Sequence, residues 1–344
     1  MGEKIDLIRL FGLKKLSRTK RRHQKAQGLL RGYVATCVIQ ALLEEGFLDL
    51  LNQEGSLNPK DYAQSKGLEA EVLEAMCEYL YGINFLSKTG GRYSLNDKAK
   101  WLLAEPRGSF DLLSAYSPIF ENILELLTGE KKYGRQVKRS ELMAAKGVGA
   151  LGRPMFFPIM QDMIKNQGFK TVLDLVVGDL SLLLLLAEDK EIHGYGIGDS
   201  AEVVEYARSR LKEQGLEERF SVFEADIFDL KPLLDDLQDV DLIIAFDLLH
   251  EHLAKGKDKI IGLLSELKRL FPGASFLIGE SPRREIAQIK KSPGIFLEHH
   301  LFHRLSEQTV LSVDEWLDIF ALAGLTLAKK RSFGIIGHIY FLLR

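Results

Sequence analysis

Three acidic residues stand at the ends of short apolar segments, where a nucleotide-like ligand would meet them. Asp174 lies within the run Val-Leu-Asp-Leu-Val-Val-Gly-Asp-Leu at 172–180, Asp199 follows Gly-Tyr-Gly-Ile-Gly, and Asp226 follows Phe-Glu-Ala. In a parallel sheet, ligands bind at the carboxyl ends of the strands, and an acid there can grip a ribose diol. Gly178 would let the backbone approach such a ligand closely. This spacing predicts a nucleotide-like cofactor at one edge of a sheet.

Five histidines lie between residues 250 and 303, in two short segments that each follow a predicted strand. Both segments should face the same sheet edge as the acidic residues. Two imidazoles and a carboxylate form a ligand set that a divalent or ferric ion accepts. The predicted metal ligands are His250, His299 and His300, with Asp247, Glu251 or Glu280 as the carboxylate. Substrate contact or surface exposure is the alternative role for these histidines.

An aromatic and methionine-rich stretch precedes the alternating part of the chain. Its side chains are predicted either to wall a pocket for an apolar acceptor or to form ordinary core between two domains. The candidate substrate contacts are Tyr116, Phe120, Phe157 and Met160, joined by His299 and His300 from the histidine segments.

Strands and helices must alternate to hold these groups, and from residue 166 onward they do. Apolar segments with strand character are separated by helical ones, which indicates a largely parallel sheet covered on both faces. The predicted strands are 171–177, 192–197, 219–225, 240–246, 274–279, 325–332 and 336–343. The predicted fold is therefore α/β, a Rossmann-like seven-stranded sheet at 166–344.

The N-terminal part is predicted to be a mostly helical winged-helix domain at 1–105, followed by a helical linker or substrate lid at 106–165. Asn58 and Pro59 start a helix, Ala70 opens another, and two glycines at 90–91 sit in a hairpin. Four glutamates on the would-be recognition helix disfavour DNA, so a homodimer scaffold is the better interpretation. The basic run at 14–25 is interpreted as a solvated helix face or arm, with contact to a membrane surface or RNA as the alternative.

Composition limits the remaining possibilities. A chain of 344 residues with 46% hydrophobic and 27% charged residues has room for two globular domains. Its net charge of -2 gives no general reason to expect a nucleic acid partner. Cys37 and Cys77 suggest no disulfide framework, and no apolar run reaches membrane-spanning length. The cytoplasm is the predicted compartment, without a membrane partner.

The acidic strand ends, the glycine turn and the segment Leu-His-Glu-His at 249–252 together resemble class I S-adenosylmethionine-dependent methyltransferases. The resemblance is greatest to small-molecule O-methyltransferases with an N-terminal winged-helix dimerisation domain, and extends to 2-oxo-acid C-methyltransferases. It covers nearly the whole chain. It implies S-adenosylmethionine as the cofactor, a small molecule as the methyl acceptor and a homodimer as the assembly.

The resemblance also implies a role for each matching residue. Asp174 and Gly178 would lie near the methionine end of the cofactor, and Asp199 near its ribose. His250 would be the general base, with a packed helix N-terminal histidine as the alternative. The remaining implied residues are Asp226 and Ile227 near the adenine, Phe246 and Asp247 beside the sulfonium, and Glu280 and Glu251 assisting the base.

Three departures from the family pattern stand near the expected cofactor, two of them in the loop at 172–180. Val176 and Leu180 occupy positions where the family carries glycine, and the ribose acid has moved from Gly198 to Asp199. These changes predict crowding near the cofactor. They leave two other functions open: a repurposed or catalytically silent methyltransferase fold, and a winged-helix DNA-binding regulator.

Overall fold

The computed structural model describes residues 2–104, 107–292 and 294–344. The chain forms two compact units, residues 1–104 and 105–344. The boundary predicted between residues 105 and 106 falls outside the described residues. Each unit is described by itself below.

The first unit is helical apart from one hairpin. Asn58 caps its fourth helix by accepting hydrogen bonds from the backbone N–H groups of Lys60 and Asp61, as the sequence predicted. The hairpin pairs Leu86 with Leu95 in antiparallel register. Its elements are α1 (Gly2–Phe11), α2 (Leu13–Glu44), α3 (Phe47–Glu54), α4 (Pro59–Lys66), α5 (Ala70–Gly82), β1 (Leu86–Thr89), β2 (Arg92–Leu95) and α6 (Asp97–Ala104). This order fits the predicted winged helix.

Helix α2 joins the basic run at 14–25 to the apolar segment that follows it in one continuous helix of 32 residues. Among the described residues it is the one helix long and apolar enough to cross a membrane, with a mean hydropathy of 1.2 in an 18-residue window that is 17% buried. One such helix near the N-terminus is weak evidence for a membrane span.

Helices of the second unit precede its sheet. They are α7 (Arg107–Ala115), α8 (Ser117–Glu121), α9 (Ile123–Thr128), α10 (Glu141–Leu151), a π-helical turn (Gly152–Phe156) and α11 (Phe157–Ile164). The predicted helical linker is thus divided into short helices: Pro118 lies in the first turn of α8, and Asn122 separates α8 from α9. Gly108 and Gly147 let α7 and α10 pack closely, since a Cβ on either would lie 2.7 Å from backbone of the other helix.

The remaining elements form the sheet and its covering helices. They are β3 (Thr171–Asp174), α12 (Ser181–Leu186), β4 (His193–Gly198), α13 (Ala201–Glu213), β5 (Phe220–Glu224), a 3₁₀ turn (Lys231–Leu233), β6 (Leu242–Phe246), a second 3₁₀ turn (Leu249–Lys255), α14 (Lys257–Leu270), β7 (Ser275–Glu280), α15 (Ile286–Ile289), α16 (Phe296–Leu305), α17 (Val313–Leu322), β8 (Leu327–Phe333) and β9 (His338–Leu343).

The seven strands lie in the order β5-β4-β3-β6-β7-β9-β8. The first five are parallel, and β9 runs antiparallel to both β7 and β8. The predicted Rossmann-like sheet is thus confirmed. Strand β3 ends at Asp174, earlier than the predicted residue 177, so the cofactor loop starts directly after that acid.

Two apolar layers cover the sheet, because consecutive residues of each strand face opposite sides. Leu173 and Ile243 face one layer, which contains α14 and α17. Val172 and Ile244 face the other, which contains α11, α12 and α13. Burial on both faces holds the carboxyl ends of β3, β4, β6 and β7 at one rigid edge.

Candidate active site

Two adjoining cavities lie in the second unit at the carboxyl edge of the sheet. The first has a volume of about 130 Å³ and the second about 640 Å³. The residues that line both are Arg139, Glu141, Val176, Gly198, Asp199, Asp247 and Glu251. The two cavities therefore form one cleft over β3, β4 and β6, the position expected for a ligand in such a sheet.

The loop after β3 supplies the first cofactor candidates. Asp174 is fully buried and lines the first cavity, and its Oδ1 accepts a hydrogen bond from the backbone N–H of Val176 at 3.1 Å. Burial raises the pKa of Asp174 to about 7. Gly178 has φ of 51°, and a Cβ there would meet only the Val176 carbonyl oxygen, at 3.8 Å. A cationic group entering this loop would find a carboxyl and open backbone beside each other.

Leu180 keeps the backbone conformation that a glycine would adopt. Its φ is 70°, in the left-handed region, and it precedes α12. The side chain is fully buried in the apolar layer with α11 to α13 and lines neither cavity. The predicted crowding of the cofactor by Leu180 is therefore not seen, whereas Val176 does line both cavities.

Asp179 orders this loop, a role that the sequence analysis missed. Its carboxylate accepts hydrogen bonds from the Ser181 N–H at 3.0 Å, the Ser181 hydroxyl at 2.7 Å and the Arg210 guanidinium at 2.9 Å. Gly149 of α10 faces it so closely that a Cβ would lie 1.9 Å from Oδ1. Two features of the sequence pointed to this role: Asp179 follows Val176 by three residues, and the segment that forms α10 is rich in glycine.

The other cofactor candidates divide between the cavities. Asp199 lines both despite its one-residue displacement, while Asp226 and Ile227 line only the second. Phe246 lines the first. The carboxylate of Asp226 also accepts a hydrogen bond from the Phe228 N–H at 2.9 Å.

His250 and Glu280 form a buried pair at the first cavity. The Nδ1 of His250 lies 2.8 Å from Oε2 of Glu280, and Oε1 of Glu280 accepts the Leu249 N–H at 2.8 Å. Both side chains are buried, and His250 lines the cavity. Burial alone would lower the pKa of His250, but the Glu280 carboxylate outweighs it and raises that pKa to about 9.

A second imidazole–carboxylate pair lies beside the first. The Nε2 of His338 is 2.8 Å from Oδ2 of Asp247, and its Nδ1 is 3.0 Å from the Ile336 carbonyl oxygen. Both partners are acceptors, so both ring nitrogens donate and His338 is an imidazolium. Burial disfavours the imidazolium charge, but the Asp247 carboxylate outweighs burial and raises the pKa of His338. Sequence analysis missed His338, which lies 91 residues from its partner.

Arg139 lines both cavities and was also missed. Its guanidinium makes five polar contacts: with both Glu251 oxygens at 2.8 Å, twice with Glu141 Oε2 at 2.9 and 3.1 Å, and with the Tyr116 hydroxyl at 3.1 Å. That number equals the N–H donors of a guanidinium. Arg139 lies within the predicted linker at 106–165 and belongs to no motif, so its partners could not be inferred from the sequence.

The predicted substrate contacts separate into two groups. Tyr116, Phe157 and His299 line the first cavity. Phe120, Met160 and His300 line neither cavity; Phe120 packs against Phe302 and Met160 is fully buried core. His303, one helical turn after His299, lines the first cavity instead of His300.

The predicted metal ligands His250 and His299 both line the first cavity, but His300 lines neither, and the three form no metal-ligand group within the part of the chain that the structure describes. Among the described residues, the group with metal-ligand geometry is Asp247, His250 and Glu280, whose ligand atoms lie within 4.8 Å of one another. In that group His250 already bonds to Glu280. Burial lowers the pKa of His299 to about 4, so its ring is neutral.

Comparisons with known proteins agree with this architecture. Residues 167–324 match the family described as "Methyltransferase domain". The 2-ketoarginine methyltransferase of Streptomyces arginensis is 24% identical over 317 residues, which cover 88% of each protein.

Solved structures show the same fold. The mitomycin 7-O-methyltransferase MmcR aligns with a TM-score of 0.64 at 16% identity, over 96% of this chain and 99% of its own. PigF with S-adenosylhomocysteine (SAH) aligns with a TM-score of 0.64 at 18% identity, over 93% and 98%. Residues 167–324 thus match a methyltransferase domain, a named methyltransferase is similar over most of the chain, and the solved structures share its fold.

Proposed function

We propose that this protein transfers a methyl group from S-adenosylmethionine to a small molecule held in the first cavity, with His250 as the general base. The observation that carries the proposal is the buried bond of 2.8 Å between His250 and Glu280 at the cavity wall. A carboxylate that holds one ring nitrogen fixes the tautomer and leaves the other nitrogen for proton transfer.

The cleft fits the cofactor on its own residues. Asp174 and the open backbone at Gly178 would hold the amino-acid end, Asp199 the ribose, and Asp226 with Ile227 the adenine. When bound, the cofactor supplies an electrophilic methyl group. A buried carboxyl with a raised pKa is suited to an ammonium group, because a cation there offsets the cost of ionising it.

Catalysis then depends mainly on position. Neutral His250 accepts the acceptor proton at Nε2 while its Nδ1–H donates to Glu280, and the Glu280 carboxylate stabilises the resulting imidazolium. Phe157 and Leu182 limit water at the cavity wall. Holding acceptor and methyl donor in one cleft supplies most of the remaining rate enhancement.

A neutral hydroxyl acceptor suits the first cavity best. Its wall includes the apolar side chains of Leu112, Ala144, Val148 and Phe157. The guanidinium of Arg139 is already engaged by two carboxylates, so it offers no donor to an acceptor carboxylate. We therefore assign O-methylation first.

A second candidate is C-methylation of a 2-oxo acid. The curated relative named for 2-ketoarginine favours it, because that relative matches the chain over nearly its whole length. In this reaction His250 would accept a proton from carbon next to the carbonyl group.

The test incubates the protein with [methyl-¹³C]S-adenosylmethionine and a panel of phenols, alcohols and 2-oxo acids, including 2-ketoarginine, and identifies the product by NMR. A methoxy carbon supports O-methylation, and a methyl carbon on the acid skeleton supports the second candidate. His250→Ala should lower kcat at least about 100-fold, as loss of a general base does, while SAH binds unchanged. The control, His300→Ala, lies outside both cavities and should retain activity. Full activity in His250→Ala would disprove the role of His250 as the general base.

A homodimer formed by the first unit is also part of the proposal. The second half of α2 exposes a run of apolar side chains: Leu29 (81% exposed), Leu30 (68%), Tyr33 (72%) and Val34 (42%). Patches of this kind mark association surfaces. Light scattering should give twice the chain mass of 38.8 kDa. The variant Leu30→Glu should give the mass of a single chain. A monomer in the unmodified protein would contradict the dimer.

A further inference from the structure

Helix α1 and the first half of α2 lie almost wholly on the surface of the first unit. Of the residues from 6 to 34, Leu16 alone is partly buried and the others are exposed. The fully buried residues of α2 all lie near its end: Ile39, Leu42 and Leu43. Most helices in proteins are stabilised by packing one face against other elements, and residues 13–34 lack that support within the first unit. This segment is therefore a surface that a partner can cover.

Positive charge is concentrated on the same segment. Between residues 7 and 43 the sequence has nine lysines and arginines and neither aspartate nor glutamate, in a chain whose net charge is -2. Successive residues of an α-helix are rotated by about 100°, so five of these cations share one side of α2. They are Lys14, Arg18, Arg21, Arg22 and Lys25, called the basic face below. The basic face is about 16 Å long, because each residue adds about 1.5 Å along the axis.

The basic face has no counter-charge within the part of the chain that the structure describes. The nearest acidic residues along the sequence are Asp6 and Glu44, and the ion pairs of α4 and β1 use glutamates of α5. Lys14, Arg18 and Arg22 follow one another at a spacing of four residues, where like charges on a helix repel. An extended anionic surface would remove that repulsion along the whole face.

Exposed apolar side chains lie next to the basic face. Leu10 is 73% exposed, Leu13 66% and Phe11 46%. Exposed leucine and phenylalanine beside a row of lysines and arginines are typical of helices that lie on a bilayer, with the apolar groups among the acyl chains and the cations at the headgroups. Single-stranded RNA, the other common polyanion, is held by aromatic side chains that stack on its bases. Residues 12–32 contain no Phe, Tyr or Trp, so the segment favours lipid.

We propose that α1 and the basic face of α2 bind the surface of an anionic lipid bilayer, with the cations at the headgroups and Leu10 and Leu13 at the acyl boundary. The lack of a membrane-spanning apolar run led to the prediction of no membrane partner, but a helix that lies on the surface requires no such run. The second half of α2, with Leu30, remains available for the proposed homodimer. The inference is independent of the proposed methyl transfer.

The experiment is sedimentation of the full-length protein with phosphatidylcholine vesicles, prepared with and without phosphatidylserine. The protein should bind only the vesicles that contain phosphatidylserine. About 1 M NaCl should release it, because the Debye length there is about 3 Å. The triple variant Arg18→Gln, Arg21→Gln and Lys25→Gln should bind about 100-fold more weakly, since each cation at such a surface contributes about fivefold.

A matched control removes the same number of exposed cations from other helices of the first unit. It carries Lys66→Gln, Lys98→Gln and Lys100→Gln, and it should bind the anionic vesicles like the unmodified protein. The double variant Leu10→Gln and Leu13→Gln keeps every charge and should bind about tenfold more weakly, because it loses the apolar groups that enter the acyl boundary. All these side chains are exposed, so the variants should fold.

Weaker binding in both the triple and the double variant, with the control unchanged, would establish the bilayer surface as the partner. Equal binding to both kinds of vesicle, binding that resists salt, or full binding in the triple variant would overturn the inference. It would also be overturned if an RNA oligonucleotide bound while the vesicles did not. A triple variant with a lower mass by light scattering would instead assign the basic face to contact between two copies of the chain, and would overturn it as well.

Discussion

At the scale of single residues, Leu180 combines a strained backbone with a well-packed side chain. A left-handed φ costs an L-residue about 1–2 kcal/mol relative to glycine, yet the fully buried side chain returns more than that by packing. A loop conformation that glycine adopts readily is thus held here by an apolar side chain.

Substitutions at Leu180 should reveal that strain. Leu180→Gly and Leu180→Ala both lose the buried side chain, but glycine tolerates the left-handed backbone, so the glycine variant should be the more stable by about 1 kcal/mol. Urea unfolding of both variants measures the difference. An alanine variant more stable than the glycine variant would mean that the loop has left the conformation described above.

The raised pKa of His250 sets a pH dependence for the reaction. Only the neutral imidazole accepts a proton, so kcat/KM should rise about tenfold per pH unit until it levels near pH 9. Glu280→Gln removes the carboxylate that offsets the effect of burial on His250. The pKa of His250 should therefore fall, and kcat/KM should level at a lower pH. A pH–rate profile of both proteins checks this. A plateau reached already at pH 6 in the unmodified protein would conflict with the His250–Glu280 pair.

At the scale of elements, the position of the cofactor loop depends on α10. The helix approaches Asp179 through Gly149, where no side chain fits, and Asp179 in turn fixes the start of α12 through Ser181. Loop and helix are therefore one packed unit.

Alanine substitutions at glycines in two helices should change the free energy of unfolding in opposite directions. Gly149→Ala places a Cβ 1.9 Å from Asp179 Oδ1 and should cost about 1–3 kcal/mol by overpacking, with weaker SAH binding. Gly262→Ala, on the exposed face of α14 with open space around it, should gain about 0.5–1 kcal/mol from helix propensity. Thermal unfolding and SAH titration of both report the outcome. Unchanged stability in Gly149→Ala would show that α10 lies farther from the loop.

Sequence periodicity predicted the sheet well because buried strands are continuous apolar runs. It did not identify α16 as a helix, and it did not predict the breaks that divide the helical linker at 106–165 into several short helices, since these segments owe their form to packing rather than to an apolar stripe. Asp174, Asp199 and His250 were found because they follow strands. Arg139 and His338 were not, because their partners lie 112 and 91 residues away in the chain and no local pattern connects them.

At the scale of the whole molecule, the cleft is built entirely by the second unit. Its walls come from segments between Leu112 and His303, and the sheet brings their ends to one edge. Val176, which lines both cavities, is the added side chain in the cofactor loop that reaches the cleft, whereas Leu180 does not. The proposed methyl transfer therefore requires that the cofactor binds past the Val176 side chain.

Calorimetric titration of the unmodified protein with SAH tests this most directly. The proposed function predicts one SAH site per chain with a Kd in the range of about 1–100 μM. Binding should be weaker in Asp199→Ala and tighter in Val176→Gly. Absence of binding at about 1 mM SAH, where a specific site of this kind would be filled, would contradict it.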